Sequence, residues 1–286
     1  QALRLVRSLR PHVILATGGY VSLPCVLVGW LLRVPSLIYL PDIQPGWAVR
    51  VLSPFARRIA VTTEASAAFF PARKVVVSGY PVRCAFFEQD KKAAREVFGL
   101  DPELPTILVV GGSRGAHSIN VVIAGALMAL LPTFQVIHVT GQRDAATMRA
   151  VRDQLPAEMK ARYRPYGFLH EDMVKAMRAA DLVIGRAGAS VLGEIPAAGV
   201  AAILVPYAGG HRDQERNAAF LESQGAAVVV RDADLTPELV EETVNRVAEQ
   251  QRLATMQKAA AAMAKPEAAA VIAAEIRELA ARRQAT

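Results

Sequence analysis

Short apolar runs, each preceded or followed by a stretch of helical periodicity, alternate along most of the 286-residue chain. Val13-Ile14-Leu15 follows an amphipathic stretch whose apolar positions are Ala2, Leu3, Leu5, Val6 and Leu9. Ile107 to Val110 leads to a helix predicted from about Ile119 to Leu131, and Leu182 to Ile184 leads through another helix to Ala201 to Pro206. Runs this short, apolar at every position, predict strands buried on both faces, as in a parallel sheet covered by crossover helices. From about Thr236 onward the pattern is helical. Thr236-Pro237 reads as an N-cap followed by proline at the first helical position. The alanine-rich stretch Lys258 to Lys265 is broken by Pro266, and a last helix is predicted from about Ala268 to Arg282. Its stripe of Val271, Ile272, Ile276 and Leu279 needs an apolar partner unless the helix is a solvent-facing tail.

Val21 to Leu40 is the one segment that resembles a membrane span. Pro24, Arg33 and Pro35 interrupt it, whereas a spanning helix needs about 20 uninterrupted apolar residues. It divides better into a helix, Leu23 to Leu32, and a strand, Ser36 to Leu40. The face carrying Leu27, Trp30 and Leu31 suits either a bilayer surface or the core.

The chemistry concentrates in two turns. Arg186-Ala187-Gly188-Ala189-Ser190 is a small-residue turn that opens a helix directly after a buried strand. Small residues let a ligand approach the backbone, and the unpaired amides of a new helix favour anions. Glu194, about one helical turn on, is placed to accept hydrogen bonds from a ribose. Gly111-Gly112-Ser113-Arg114-Gly115-Ala116 repeats the arrangement after Ile107 to Val110. Either turn alone could be a plain structural crossover, but two of them can face one crevice at the carboxyl ends of parallel strands. Neither fits GxGxxG or a Walker loop, which counts against dinucleotide oxidoreductases and P-loop enzymes.

Composition and charge refine this picture. Apolar residues make up 52% of the chain, ample for a large α/β core. Two isolated cysteines, Cys25 and Cys84, point to a reducing compartment, and His12, His117, His138, His170 and His211 share no ligand spacing, so neither a bound metal nor a cofactor is expected. Through Arg83 there are ten basic residues and two acidic ones, a net +8 within a chain whose total is +7. That asymmetry suggests an anionic partner, and a lipid headgroup layer fits better than nucleic acid, for which no aromatic-interleaved basic stripe is present. An ordinary solvated surface is the other reading.

Five motifs occur together in register: Gly79-Tyr80-Pro81-Val82-Arg83, Gly111 to Ala116, Gly167-Phe168-Leu169-His170-Glu171-Asp172-Met173, Arg186 to Glu194, and Asp213-Gln214-Glu215-Arg216-Asn217-Ala218. In order and spacing the chain resembles the MurG family, and with Gly18-Gly19-Tyr20-Val21-Ser22 the resemblance runs from about Pro11 to Val230. The resemblance implies a GT-B fold, two Rossmann-like α/β domains with a cleft between them, the nucleotide sugar being held by the carboxyl-terminal one. The expected division is residues 1–83, joined by the last helix at about 267–286, and residues 84–266. The first part is short for a complete domain and the chain opens at Gln1 inside a helical stretch, so an amino-terminal segment is expected to precede it. In the family that segment carries a glycine-rich loop ending in His, which this sequence lacks.

By the same resemblance, Arg83 and Ser113 contact the donor diphosphate, the backbone at Leu169 reads the uracil edge, and Ala189, Ser190, Val191, Leu192, Gly193 and Glu194 hold the sugar and ribose. Gln214 and Asn217 bind sugar hydroxyls, unless they lie on a solvated helix face. The acceptor side departs from the family. Where it has His-Glu-Gln-Asn before a Pro-Gly turn, this chain reads Tyr39-Leu40-Pro41-Asp42-Ile43-Gln44-Pro45-Gly46, with Asp42 in place of the Asn. Asp42 is a candidate catalytic base or a turn residue capping Pro45-Gly46. The implied activity is inverting transfer of N-acetylglucosamine from UDP-N-acetylglucosamine to an undecaprenyl-diphosphate-linked muramyl peptide, at the cytoplasmic face of a bacterial membrane. Alternatives are a diacylglycerol glycosyltransferase, a UDP-N-acetylglucosamine 2-epimerase, and a UDP-sugar-binding remnant without turnover.

Overall fold

The computed structural model describes residues 1–112, 115–207, 209 and 213–284. They form two compact units, the first built from residues 1–82 with the segment from Lys265 onward, the second from Arg83–Ala264.

The first unit is a four-stranded parallel sheet in the order β1 (Ile14–Ala16), β2 (Ser36–Leu40), β3 (Arg58–Val61), β4 (Val75–Val77). Every residue of β2 is buried, as a continuous apolar run demands of a strand covered on both faces. One face packs on Val26, Val49 and Leu52. Leu37, Tyr39 and Ala60 pack on Ile272 and Leu279 of the helix Ala268–Gln284, which supplies the partner that the apolar stripe required. The helix before β2 spans Ser22–Leu31, one residue earlier than its apolar pattern predicts, because Arg33 takes a left-handed φ of +56° that ends it. It buries Val26 and Gly29 and leaves Leu27, Trp30 and Leu31 exposed. Among the described residues no helix is long and apolar enough to cross a membrane.

The second unit has six parallel strands: β5 (Thr106–Val110), β6 (Gln135–Val139), β7 (Tyr163–Tyr166), β8 (Leu182–Gly185), β9 (Ala201–Leu204) and β10 (Ala227–Val229). Their order is β10-β9-β8-β5-β6-β7, so the chain lays β6 and β7 on one side of β5, then returns to lay β8, β9 and β10 on the other. Ile107, Val109, Val136, Leu182 and Ile203 meet Ile119, Ile123 and Leu127 of the helix His117–Leu130 in one large core. The strand β9 stops at Leu204, two residues short of its apolar run: the Val205 amide still donates to the Gly185 carbonyl at 2.8 Å, but Pro206 has no amide with which to continue. Thr236 caps the helix Pro237–Ala248 by accepting from the Leu239 amide at 3.2 Å, the role its sequence predicts.

Candidate active site

The order of strands reverses between β5 and β8, and open α/β sheets bind ligands beyond the carboxyl ends of strands at such a point. Both small-residue turns leave from it. Val110 pairs with Gly185 at the two strand ends, and a Cβ on Gly185 would collide with the Val110 carbonyl, so both turns emerge at the same level. In the first turn Gly112 and Gly115 adopt φ of +87° and +76°, a region open to glycine. A Cβ on Gly115 would also strike the Thr140 carbonyl. The expected Ser113 lies outside the described residues.

The second turn opens the helix Val191–Ala198. Val191 and Leu192 donate back to Gly188 and Ala189 at 3.1 Å each, while the amides of Ala189 and Ser190 have no partner among the described residues. Ala189, Ser190 and Val191 are half-buried and Leu192 and Gly193 buried, so this turn offers backbone rather than side chains. Glu194 is largely enclosed, and burial raises its carboxyl above the ordinary range although Ser190 hydrogen-bonds to it and the Arg83 cation attracts it. That attraction places Arg83, otherwise exposed, in the electrostatic reach of Glu194.

The remaining expected residues divide. Leu169 lies in the loop after β7 with its side chain buried, which leaves only its backbone to present. Gln214 accepts from the Tyr207 amide through Oε1 at 3.0 Å. Asn217 is fully buried, and its amide donates to the Ala187 carbonyl at 3.2 Å, bracing the turn from behind. It does not lie on a solvated helix face. Asp42 belongs to the first unit, half-buried in the loop after β2, where its carbonyl accepts from Ser66 Oγ at 3.3 Å. The helix Trp47–Leu52 follows, with Gly46 at its N-cap position.

Two arrangements have no counterpart in the motif reading. Arg186 clasps the site by donating to the Val205 carbonyl at 3.1 Å, Asp232 at 2.8 Å and Ser118 Oγ at 2.8 Å, with its guanidinium 5.4 Å from the Tyr207 ring centroid. A buried polar chain runs beside it. Tyr163 hydroxyl meets His138 Nδ1 at 2.9 Å, His138 Nε2 meets Asn120 Oδ1 at 2.9 Å, and Asn120 Nδ2 donates to Asp144 and to the Thr140 carbonyl, each at 2.8 Å. Asp144 also takes His117 Nδ1 at 3.0 Å. Burial pushes His138 down to about 3, so its ring is neutral. Burial works to raise Asp144, but hydrogen bonds from Asn120 and His117 and the nearby charges of His117 and Arg143 prevail and hold it below the usual carboxylate range. Partners this far apart in sequence leave no local pattern, although a histidine inside an apolar strand is a signal that a buried hydrogen-bonding partner is needed.

With this geometry, the sequence profile of the glycosyltransferase family 28 C-terminal domain matches residues 106–272. The protein is therefore of the glycosyltransferase class with parallel-sheet α/β units. Similar curated proteins are the UDP-N-acetylglucosamine--N-acetylmuramyl-(pentapeptide) pyrophosphoryl-undecaprenol N-acetylglucosamine transferases of Roseiflexus sp. (strain RS-1), 39% identical over 98% of this chain and 72% of that protein, and of Moorella thermoacetica, 38% identical over 93% and 73%. The crystal structure of Acinetobacter baumannii MurG superimposes with a TM-score of 0.77 at 30% identity, over 97% of this chain and 76% of that one. The chain belongs to the MurG family. The UDP-GlcNAc 2-epimerase of Neisseria meningitidis, at a TM-score of 0.71 but 14% identity over 96% of this chain and 79% of that one, shares the fold alone.

Proposed function

We propose that the protein transfers N-acetylglucosamine from UDP-N-acetylglucosamine to a lipid-diphosphate-linked muramyl peptide, with inversion at the anomeric carbon. The observation that carries this reading is the pair of glycine and small-residue turns at the β5/β8 reversal, with the enclosed Glu194 at the head of the second helix. Glu194 accepts from the ribose hydroxyls, the free amides of Ala189 and Ser190 face the sugar phosphate, and the Leu169 backbone reads the uracil edge. Gln214, whose amide nitrogen is left for a ligand when Oε1 holds Tyr207, takes a sugar hydroxyl, and Asn217 acts through the turn that it braces. As UDP leaves, charge on the diphosphate is met by Arg83, Ser113 and the helix-start amides. Calorimetry with UDP-N-acetylglucosamine and UDP tests the donor half, and absence of heat with both ligands would overturn it.

Asp42 is proposed as the base that takes the acceptor proton. Asp42→Asn is expected to retain donor affinity and to lower transfer by about 10²-fold or more. An unchanged rate would move the base elsewhere.

The first unit is proposed to rest on an anionic membrane surface, making the enzyme peripheral at the cytoplasmic face. A groove of about 700 Å³ at the starting ends of β2, β3 and β4 is lined by Trp30, Arg33, Arg57, Arg58, Arg73 and Lys74. Burial, with the Arg73 and Arg57 charges, pulls the Lys74 ammonium down, which marks local cation crowding that an anion would relieve. Trp30 stands exposed beside it, edge-on to Phe55 at 5.2 Å. Co-sedimentation with vesicles should rise with anionic lipid and fall with salt, as screening shortens to about 8 Å at physiological ionic strength.

A further inference from the structure

The two histidines of the buried polar chain differ in one respect. His138 has both ring nitrogens satisfied and is completely enclosed, as expected of a histidine that serves the core. Among the described residues His117 bonds through Nδ1 alone, to Asp144, and its side chain is 61% exposed while that of Asp144 is 10% exposed. A carboxylate at Nδ1 fixes the ring orientation and tautomer and leaves Nε2 as the working atom. His117 is the first residue of its helix and directly follows the glycine-rich turn that ends at Ala116. That turn and the histidine form one assembly, because Gly115 lies against the Thr140 carbonyl, which Asn120 holds with the same amide that binds Asp144.

We infer that His117, held by Asp144, is a further donor-binding residue whose Nε2 meets the diphosphate of the nucleotide sugar; this rests on the donor reading given above. The contact proposed is that of an imidazolium. The Asp144 carboxylate would repel a diphosphate at this turn, and an imidazolium between them converts the repulsion into two attractions. Among the described residues the other charged groups near His117 are Arg143, beside Asp144, and the Arg186–Asp232 pair that Ser118 bridges, whose charges already cancel. Binding should therefore take up a proton.

The test is calorimetry on the whole chain with UDP-N-acetylglucosamine, a diphosphate diester whose charge is constant between about pH 6 and about pH 8, and with uridine as the phosphate-free probe. The wild-type chain should bind the nucleotide sugar about five- to tenfold more tightly at the lower pH, with proton uptake visible as a dependence of the heat on the buffer. His117→Ala should lose that pH dependence and about tenfold in affinity at low pH, the scale of one charge-assisted hydrogen bond. His117→Arg should restore affinity at both pH values without restoring the pH dependence. Uridine affinity should be the same in all three. A His117→Ala chain with wild-type affinity and pH dependence would overturn the inference, as would an equal loss for uridine, which would reduce the pair to a prop for the turn. If the wild-type chain binds uridine but not the nucleotide sugar, the inference fails while a nucleoside site stands; if it binds neither, the donor reading itself has failed.

Discussion

The two units are built alike, from parallel strands buried under helices, yet their conspicuous chemistry lies at opposite ends of the strands. In the second unit the strand order reverses at β5 and β8, and the glycine-rich turns, Glu194 and the His117–Asp144 pair gather where those strands end. In the first unit β1 to β4 progress across the sheet in one direction, so among the described residues no reversal opens a crevice, and the cationic groove lies where β2 to β4 begin. Fold class alone would not distinguish the units. What differs is the order of the strands, which in the second unit opens a crevice at their carboxyl ends.

The comparison breaks most visibly in acid. His138 is held neutral well below its ordinary pKa, so the stability that it contributes is fully present above about pH 6.5 and is lost as pH falls toward about 3. The second unit should lose on the order of 3–5 kcal/mol over that range through this group, and His138→Gln should flatten the loss. Denaturation followed by hydrogen exchange in β5 and β6 measures it, and acid sensitivity confined to the first unit would contradict it. A smaller effect is expected from Gly115→Val, which forces a side chain into positive φ against the Thr140 carbonyl. It should cost about 2–3 kcal/mol and abolish donor binding in calorimetry, while vesicle binding through the first unit is unchanged.

Glu194→Gln sharpens the same contrast. The raised carboxyl of Glu194 means that the fold favours its protonated form, so the cost of holding it charged sets in as pH rises through the unfolded value and is complete above the folded one. At neutral pH the variant should melt at a higher temperature yet bind UDP-N-acetylglucosamine about tenfold more weakly, because one charge-assisted hydrogen-bond acceptor is gone. A variant that melts lower, or binds as well, would remove Glu194 from the ribose. The smallest effect belongs to the first unit, where Arg73→Gln should weaken binding to anionic vesicles by about 1 kcal/mol and leave donor affinity untouched.

Strands buried on both faces were legible because they carry unbroken apolar runs, Leu37 to Leu40 in β2, Ile107 to Val110 in β5 and Leu182 to Ile184 in β8. Both turns were legible as well, since glycine and alanine at a strand end have few other uses. The brace at Asn217, the Arg186 clasp and the chain from Tyr163 to His117 were not. Each joins residues that are close only after the sheet has formed, such as His117 and Asp144, or Arg186 and Asp232, and a polar side chain carries no sign of its eventual partner. The sequence reading treated Arg186 as part of a run of small residues, whereas its guanidinium ties three segments together.

The passage of the chain between the units has a consequence for synthesis. The second unit is continuous from Arg83 to Ala264, whereas the sheet of the first needs Ile272 and Leu279 to cover Leu37, Tyr39 and Ala60, and Glu275 to pair with Arg58 at 3.2 Å. A ribosome delivers those residues only after the whole second unit has been made. The part translated earlier must therefore wait with one face of its sheet bare, while the part translated later can close first, an inversion of the usual amino-to-carboxyl order in which domains fold during synthesis.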